Sequence, residues 1–354
     1  MKLLSIVGAR PQFIKLAAIH RILEKRARIK HKVLHTHQHY DSNMSAIFFS
    51  ELGTPEPDHI LYLPDYSLAS SIPRMHKGII KILEEESPDM VLVYGDTNST
   101  LAAAQAAKRK LLPIAHIEAG LRSYDNIPEE FNRVETDRLS DLLFCPTIKA
   151  KQNLLAERFS SDKIIFSGDV MLDTILNYLP EALNKFPSTS SLSNYALTTI
   201  HRVNTVQSSN SLKNIIRALN HINKEIKIIF PVHPRTRRAF EDTGENIEFE
   251  LLDPVGYLEM LSLLSRCSMV LTDSGGLQKE AFFCKKMCVT LRETTEWKEL
   301  VNAGVNIIAG TNYQNIVDSF ELAKSSHPSF DHEFYGIGNS AQIITDEIVR
   351  YLEM

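Results

Sequence analysis

Residues 89–117, DMVLVYGDTNSTLAAAQAAKRKLLPIAHI, contain two short apolar runs on either side of a longer segment with helical periodicity. The runs at 89–94 and 113–117 are typical of strands that are buried on both faces. Asp96, which stands before Thr97, Asn98 and Ser99, is of a type that caps the N-terminus of a helix. A strand, a helix and a second strand in this order predict a parallel βαβ unit.

The same alternation extends in both directions along the chain. Further strands are predicted at 2–7, 31–36, 141–144 and 163–166 before a polar stretch at 187–194, and at 195–200, 226–232, 247–252, 268–272, 288–291 and 306–309 after it. We therefore predict an α/β protein of two Rossmann-like, doubly wound domains, at 1–170 and 190–339. A last helix at 340–354 has no strand after it and is expected to pack back on the N-terminal domain.

The composition is that of an ordinary globular protein, with 44% hydrophobic and 23% charged residues. The formal charge of -4 gives no overall attraction to nucleic acid or to an anionic membrane, and neither is expected as a partner. No apolar run reaches the roughly eighteen residues of a membrane-spanning helix, and we expect a cytoplasmic location. The cysteines lack the spacing of a zinc or redox pair and are expected to be reduced core residues: Cys145, Cys267, Cys284 and Cys288.

The turns that follow the predicted strands are the most informative part of the sequence. Nearly every one carries an ionisable group or a pair of glycines, and they lie at 8–11, 37–41, 95–97, 118–120, 201–202, 233–235 and 273–276. Ligands of open parallel sheets bind beyond the carboxyl ends of the strands. The pattern therefore indicates a ligand cleft lined by both domains.

One turn of the C-terminal domain has the features of an anion site. Ser274, Gly275 and Gly276 follow an apolar strand and open a helical run, so free backbone N–H groups and the positive end of a helix dipole favour a phosphate. Glu280 lies one turn inside that helix and is placed to reach a ribose hydroxyl pair. The same segment also fits a plain helix cap with Ser274 as the capping residue, and the two roles can coexist.

Basic residues follow strands in both domains. Arg10 and Lys15 flank the first strand-to-helix turn and are placed to clamp a diphosphate, or alternatively to lie solvated on a surface helix. His201, His233 and Arg235 follow two successive strands of the C-terminal domain, where cationic groups can stabilise a leaving phosphate.

Three carboxylates are candidates for proton transfer. Asp96 and Glu118 end consecutive strands, and Glu129 stands at the start of another helix. Acids that converge on one cleft raise one another's pKa and can divide the roles of base and acid. The alternative is structural, because Asp96 is placed to cap a helix and Glu129 suits a first helical turn.

Two further patterns are rejected as sites. His35, His37 and His39 alternate along a strand end, but carboxylates and thiols with ligand spacing are missing nearby, so no metal is expected. Residues 336–341, GIGNSA, match a loose dinucleotide pattern, yet no strand precedes them. No cofactor is therefore expected.

The turns, taken in order, resemble the non-hydrolysing UDP-N-acetylglucosamine 2-epimerase family. The matching segments are GARPQFIK (8–15), VYGDTNSTLAAAQAA (93–107), HIEAGLRS (116–123), PEEFNRVETD (128–137), HPRTR (233–237), DSGGLQKEA (273–281) and RETTEW (292–297). This resemblance implies two Rossmann-like domains in the GT-B arrangement, a homodimer, and an active site in the cleft between the domains. It also implies that the substrate is a UDP-activated 2-acetamido sugar, inverted at carbon 2.

In that family, UDP leaves as a base removes the carbon 2 proton, and it adds back to the resulting glycal after protonation on the opposite face. The resemblance assigns proton transfer to Asp96, Glu118 and Glu129. It assigns the diphosphate to His201, Arg10, Lys15 and residues 274–276, the ribose to Glu280, and the orientation of Glu129 or of the phosphates to Arg133.

The chain departs from the common members at several places. Trp297 replaces an arginine, no glutamate follows Val203 and Asn204 after the His-Arg pair, and the stretch at 118–128 is shorter. Trp297, together with the segment QKEA, resembles the branch that acts on UDP-2,3-diacetamido-2,3-dideoxyglucuronate for bacterial O-antigens. A GT-B glycosyltransferase and a UDP-sugar-binding protein without turnover are the alternative functions.

Overall fold

The computed structural model describes residues 1–37, 49–61, 68–123, 127–187, 189 and 194–354, with the side chains of 68–71 and 204 left out. The chain forms two compact units, and each is described by itself. Unit 1 comprises Met1–Leu176 and Glu333–Met354, and unit 2 comprises Asn177–His332. The division falls inside one helix, Val170–Lys185.

Unit 1 is built on a parallel sheet, which has seven strands within the described residues. They are β1 Lys2–Val7, β2 Lys30–His35, β3 His59–Ile60, β4 Met90–Tyr94, β5 Ile114–Ile117, β6 Leu142–Cys145 and β7 Ile164–Phe166. The order is β3-β2-β1-β4-β5-β6-β7, so the winding reverses between β1 and β4. Ligands of such sheets bind at this reversal, beyond the carboxyl ends of the strands.

Helices connect these strands: α1 Arg10–Leu23, α2 Leu68–Glu86, α3 Asn98–Arg109, α4 Pro128–Leu139, α5 Ile148–Ala156 and α6 Val170–Lys185, with α14 Ser340–Glu353 at the end of the chain. Five alanines of α3 are fully buried and belong to a hydrophobic cluster that also contains residues of α2, β1 and β4: Ala102, Ala103, Ala104, Ala106 and Ala107. Helix α14 packs on α1. The buried carboxylate of Asp173 accepts hydrogen bonds from the backbone N–H groups of Ser340, at 3.2 Å, and Ala341, at 2.8 Å.

Unit 2 repeats the design with a second parallel sheet. Its strands are β8 Tyr195–Thr199, β9 Lys227–Pro231, β10 Glu250–Leu252, β11 Met269–Thr272, β12 Met287–Thr290 and β13 Asn306–Ile308, in the order β10-β9-β8-β11-β12-β13. Its helices are α7 Val203–Gln207, α8 Ser209–Ile222, α9 Pro234–Thr243, α10 Tyr257–Arg266, α11 Gly275–Phe283, α12 Lys298–Asn302 and α13 Tyr313–Ser325. The winding of this sheet reverses between β8 and β11.

The predicted α/β class with two parallel, doubly wound sheets is confirmed. One predicted strand, 247–252, is shorter in the structure. Side chains of α8 take the place of a strand partner there, because Asn220 accepts from the N–H of Glu248 and Asn223 donates to its carbonyl oxygen. The strand β3 was not predicted, since two residues are too few to show a period.

The described residues contain no helix that is long and apolar enough to cross a membrane. Three of the cysteines are buried and Cys284 is partly buried, and all four thiols are free. Burial raises the pKa of Cys267, Cys284 and Cys288 to about 12, which suits inert core residues.

Candidate active site

In unit 1, Gln12 joins the turns that follow β1 and β4. Its side-chain oxygen accepts from the N–H groups of Gly8, at 2.7 Å, and Ala9, at 3.0 Å. Its amide nitrogen donates to the carbonyl oxygen of Tyr94 at 2.7 Å and to the hydroxyl of Thr100 at 2.9 Å. Because Gln12 is wholly buried, it fixes the start of α1 against the end of β4.

Lys15 and Glu118 form a buried ion pair at this edge of the sheet, between Nζ and Oε2. Glu118 follows β5 and has a left-handed backbone, with φ of 73°. A non-glycine residue in this conformation is strained by about 1–3 kcal/mol, and such strain concentrates at functional positions. The structure thus brings Lys15 to Glu118, while Arg10 is exposed at the first residue of α1.

Asp96 and Arg133 form a second ion pair, between the turn after β4 and helix α4. Arg133 is buried and also pairs with Glu130, whose carboxylate accepts from the N–H and the hydroxyl of Ser123, both at 3.0 Å. Glu129, the residue chosen from the sequence, is exposed in the first turn of the same helix. One helix therefore carries an exposed acid and a restrained acid side by side.

In unit 2, Asp273 organises the turn after β8. It is fully buried at the end of β11, and its carboxylate accepts from the N–H groups of His201, at 3.0 Å, and Arg202, at 2.9 Å. The imidazole Nδ1 of His201 lies 3.4 Å from the same carboxylate. The His201 side chain is more than half exposed, so it is anchored at its backbone and open at its ring.

Ser274 caps helix α11 by accepting from the N–H of Leu277 at 3.4 Å. The capping role left open by the sequence is therefore present. A Cβ at Gly275 would collide with the carboxylate of Glu296, which also contacts Arg292 at 3.1 Å and Arg202 at 3.8 Å. Gly276 lies in the first turn of the helix. A side chain at this position would require the flexible end of Glu296 to move away from the helix N-terminus.

Trp297 packs behind the same helix end. Its ring lies under the Nζ of Lys279, 4.1 Å from the centroid, and both residues are buried. The carboxyl-bearing Glu280, on the next position of α11, is 9% exposed. Gln278 is fully buried and donates to the carbonyl oxygen of Ser274 at 3.0 Å. These contacts hold the first turn of α11 rigid from within the unit.

His233 caps helix α9, since its Nδ1 accepts from the N–H of Arg235 at 3.2 Å. The two residues line an open cavity of about 530 Å³ beside α7, together with Val206, Gln207, Pro234, Arg238, Ala239 and Asp242. The structure therefore groups His233 with Arg235, in a turn separate from that of His201.

Sequence reasoning missed Gln12, Asp273 and Glu130 as site residues. Gln12 and Asp273 lie inside the segments that resemble the family. A buried residue that makes several hydrogen bonds, however, has no pattern of its own in a sequence. The described residues contain no cluster of His, Cys, Asp and Glu that could hold a metal ion, and His39, part of the rejected histidine set, lies outside them.

Comparison with known proteins gives consistent results. The family model described as UDP-N-acetylglucosamine 2-epimerase matches residues 21–349. UDP-2,3-diacetamido-2,3-dideoxy-D-glucuronate 2-epimerase of Pseudomonas aeruginosa is 44% identical over 354 residues, which cover 99% of this chain and 100% of that protein. The crystal structure of Methanocaldococcus jannaschii UDP-GlcNAc 2-epimerase in complex with UDP-GlcNAc and UDP has a TM-score of 0.91 at 39% identity, covering 99% and 100% of the two chains. That of the Neisseria meningitidis enzyme bound to UDP-GlcNAc has a TM-score of 0.89 at 33% identity, again covering 99% and 100%.

Proposed function

Because the chain belongs to the UDP-N-acetylglucosamine 2-epimerase family, we propose that it inverts carbon 2 of a UDP-2-acetamido sugar by eliminating UDP and adding it back. The chain is a nucleotide-sugar 2-epimerase, and thus an isomerase. The observation that carries the proposed mechanism is the buried Lys15–Glu118 pair, in which the acid sits on a strained backbone at a strand end.

The first half-reaction breaks two bonds. A carboxylate takes the proton from carbon 2, and the electron pair of that C–H bond becomes the double bond of a glycal while the bond from carbon 1 to the UDP oxygen breaks. The second half-reaction runs this backwards, with the proton delivered to the opposite face. No net oxidation occurs, so the acids Asp96, Glu118 and Glu129 and a site for UDP suffice.

The diphosphate needs cations and N–H donors while it is detached. We assign this task to His201, Arg10, Lys15, His233 and Arg235 with the turn at Ser274, Gly275 and Gly276, and the ribose to Glu280. Arg133, paired with Asp96, orients this acid in the turn after β4. In this proposal residues 1–170 with the last helix provide the proton chemistry, and residues 190–339 bind UDP.

For the sugar, we propose UDP-2,3-diacetamido-2,3-dideoxyglucuronate, epimerised to its manno form for a bacterial surface polysaccharide. The support is the 44% identity to the Pseudomonas aeruginosa enzyme of that name and the resemblance of Trp297, with the segments GARPQF, PVGYLEM and QKEA, to this branch. A homodimer in the cytoplasm completes the proposal.

The test is incubation in heavy water with UDP-2,3-diacetamido-2,3-dideoxyglucuronate and, separately, UDP-N-acetylglucosamine, followed by proton NMR. The proposal expects manno product from the first sugar with one deuterium at carbon 2. Product that retains the original hydrogen would refute the elimination. Release of UDP only when an acceptor is added would indicate a glycosyltransferase, and tight UDP binding without epimerisation of either sugar would indicate a binding protein.

A further inference from the structure

His116 lies in β5, two residues before Glu118, and its ring is completely buried. Both of its nitrogens face oxygen atoms. Nδ1 is 2.7 Å from a carboxylate oxygen of Asp137, and Nε2 is 2.8 Å from the carbonyl oxygen of Gly95. A carbonyl oxygen only accepts, so Nε2 carries a hydrogen and donates it to Gly95.

Asp137 has further hydrogen-bond partners. Its second carboxylate oxygen accepts from the N–H of Gly120 at 3.2 Å and from Arg122 at 2.8 Å, and Arg122 forms a bidentate pair with Glu157. The Asp137 carboxylate therefore joins the His116 ring to the N–H of Gly120 and to Arg122, and the other ring nitrogen joins it to Gly95.

The two ends of this His116–Asp137 pair contact the two turns that hold the proposed acids. Gly95 immediately precedes Asp96, has φ of 63°, and also donates its N–H to the carbonyl oxygen of Ile117 at 2.9 Å. A Cβ at Gly95 would lie 3.2 Å from the Glu118 carboxylate and 3.3 Å from the Lys15 ammonium. Gly95 therefore lies directly against the Lys15–Glu118 pair. Its backbone N–H and its carbonyl oxygen are both hydrogen-bonded.

We propose that His116 and Asp137 are positioning residues for the epimerase reaction. They hold the turns after β4 and β5 in register, so that the carboxylates of Asp96 and Glu118 stay at the places proton transfer requires. This inference rests on the proposed function. A neutral pair of similar volume would fill the space, but it would release the carbonyl oxygen of Gly95 or the N–H of Gly120 on the two turns.

A matched pair of variants separates the two contacts of the ring. In His116→Asn the side-chain amide reaches the position of Nδ1, so it keeps a donor toward Asp137 and abandons Gly95. In His116→Gln the amide reaches the position of Nε2 and keeps the donor toward Gly95. Displacement of a reacting group by about 1 Å costs on the order of 100-fold in rate. We therefore expect kcat to fall about 100-fold in His116→Asn and less than about tenfold in His116→Gln, with KM and UDP affinity unchanged in both.

Wild-type epimerisation in heavy water is the reference, and calorimetry with UDP shows that unit 2 is intact in each variant. If the wild type epimerises and folded His116→Asn keeps its kcat within about twofold, the inference is wrong while the proposed function stands. Equal losses of kcat and UDP affinity in both variants would also overturn it, since they indicate a scaffold role. A wild type without turnover removes the proposed function and the inference together. Should His116→Asn fail to fold, Gly95→Ala tests the position of the same glycine beneath the Lys15–Glu118 pair. Wild-type kcat in that variant would overturn the inference.

Discussion

The indole nitrogen of Trp297 donates a hydrogen bond to the carbonyl oxygen of Gly275, with 2.9 Å between the two atoms. The residue on which the resemblance to one branch of the family rests thus contacts the first residue of helix α11. From the sequence alone, Trp297 indicated a branch of the family. The structure shows that its side chain is hydrogen-bonded to the first turn of the helix that forms the candidate phosphate site.

Replacing Trp297 with phenylalanine removes this donor and keeps an aromatic ring beneath Lys279. The part-buried carbonyl oxygen of Gly275 then loses one of its donors, a bond worth about 1–1.5 kcal/mol, and the first turn of α11 is held less firmly, so we expect UDP affinity to fall by up to about five- to tenfold. Titration calorimetry measures the change. Lys279→Met is the matched control, because it removes the cation and leaves the indole bond in place. UDP binding by Trp297→Phe at wild-type affinity would contradict the prediction.

Glu118→Gln is expected to lower kcat by about 10² to 10⁴, the contribution of a positioned acid or base. The amide keeps the shape of the side chain and cannot accept the carbon 2 proton. UDP affinity should remain, and single-turnover assays beside calorimetry separate the two. Glu135→Gln, on an outer position of helix α4, serves as the control and should keep full activity. Wild-type kcat in Glu118→Gln would remove this residue from the chemistry.

The burial of His31 predicts that the free energy of unfolding decreases at acid pH. Burial is the largest cause that lowers its pKa from 6.5 to about 3, with the nearby His20 adding to the effect. The unfolded chain therefore binds a proton at a higher pH than the folded chain. The stability is fully present above pH 6.5 and falls as pH drops toward 3, by up to about 1.4 kcal/mol per pH unit from this group.

Urea unfolding at pH 7, 5.5 and 4.5 measures this decrease in the free energy of unfolding. His31→Gln should flatten it, although its stability at pH 7 is lower because contacts with Ser5 and His20 are lost. His332→Gln, a change at an exposed histidine, should leave the slope as it is. The same slope in His31→Gln and the wild type would show that another group causes the acid sensitivity.

Gly168 and Gly244 form a matched pair for backbone strain. Both have a left-handed backbone, with φ of 78° and 70°. A Cβ at Gly168 would lie 2.6 Å from the carbonyl oxygen of Tyr335, whereas Gly244 has no atom within 4 Å of that position. Gly244→Ala should cost about 1–2 kcal/mol, and Gly168→Ala about 1–3 kcal/mol more because of the collision. Calorimetric melting of the two variants tests this, and equal melting temperatures would contradict it.

Much of the fold could be predicted from the sequence because buried parallel strands leave continuous apolar runs. The runs at 2–7 and 306–309 have strands within a residue of the predicted bounds. The strand 247–252 was overextended, since a sequence does not show that Asn220 and Asn223 satisfy the backbone of Glu248 instead of a neighbouring strand.

The candidate site could be predicted only as far as its local turns. The glycine turn at 274–276 and the acid at 118 are recognisable by their places after strands. The pairing of Lys15 with Glu118 could not be predicted, because it joins residues about a hundred positions apart through a buried contact. The sequence suggested that Lys15 binds diphosphate together with Arg10, and it offered no signal that a carboxylate is its neighbour.

The left-handed backbone of Glu118 lowers the stability of the fold at a position that the proposed reaction requires. Glycine adopts that conformation without strain, and asparagine does so at little cost. Laboratory evolution that selects for heat resistance should therefore replace this glutamate only together with Lys15, since removing the carboxylate alone leaves a buried ammonium without that counter-charge. Selection for the proposed epimerase activity should keep both residues. Positions 15 and 118 thus distinguish the two selections by outcome, and under the proposed function the melting temperature given up there is the amount the chain sacrifices for its chemistry.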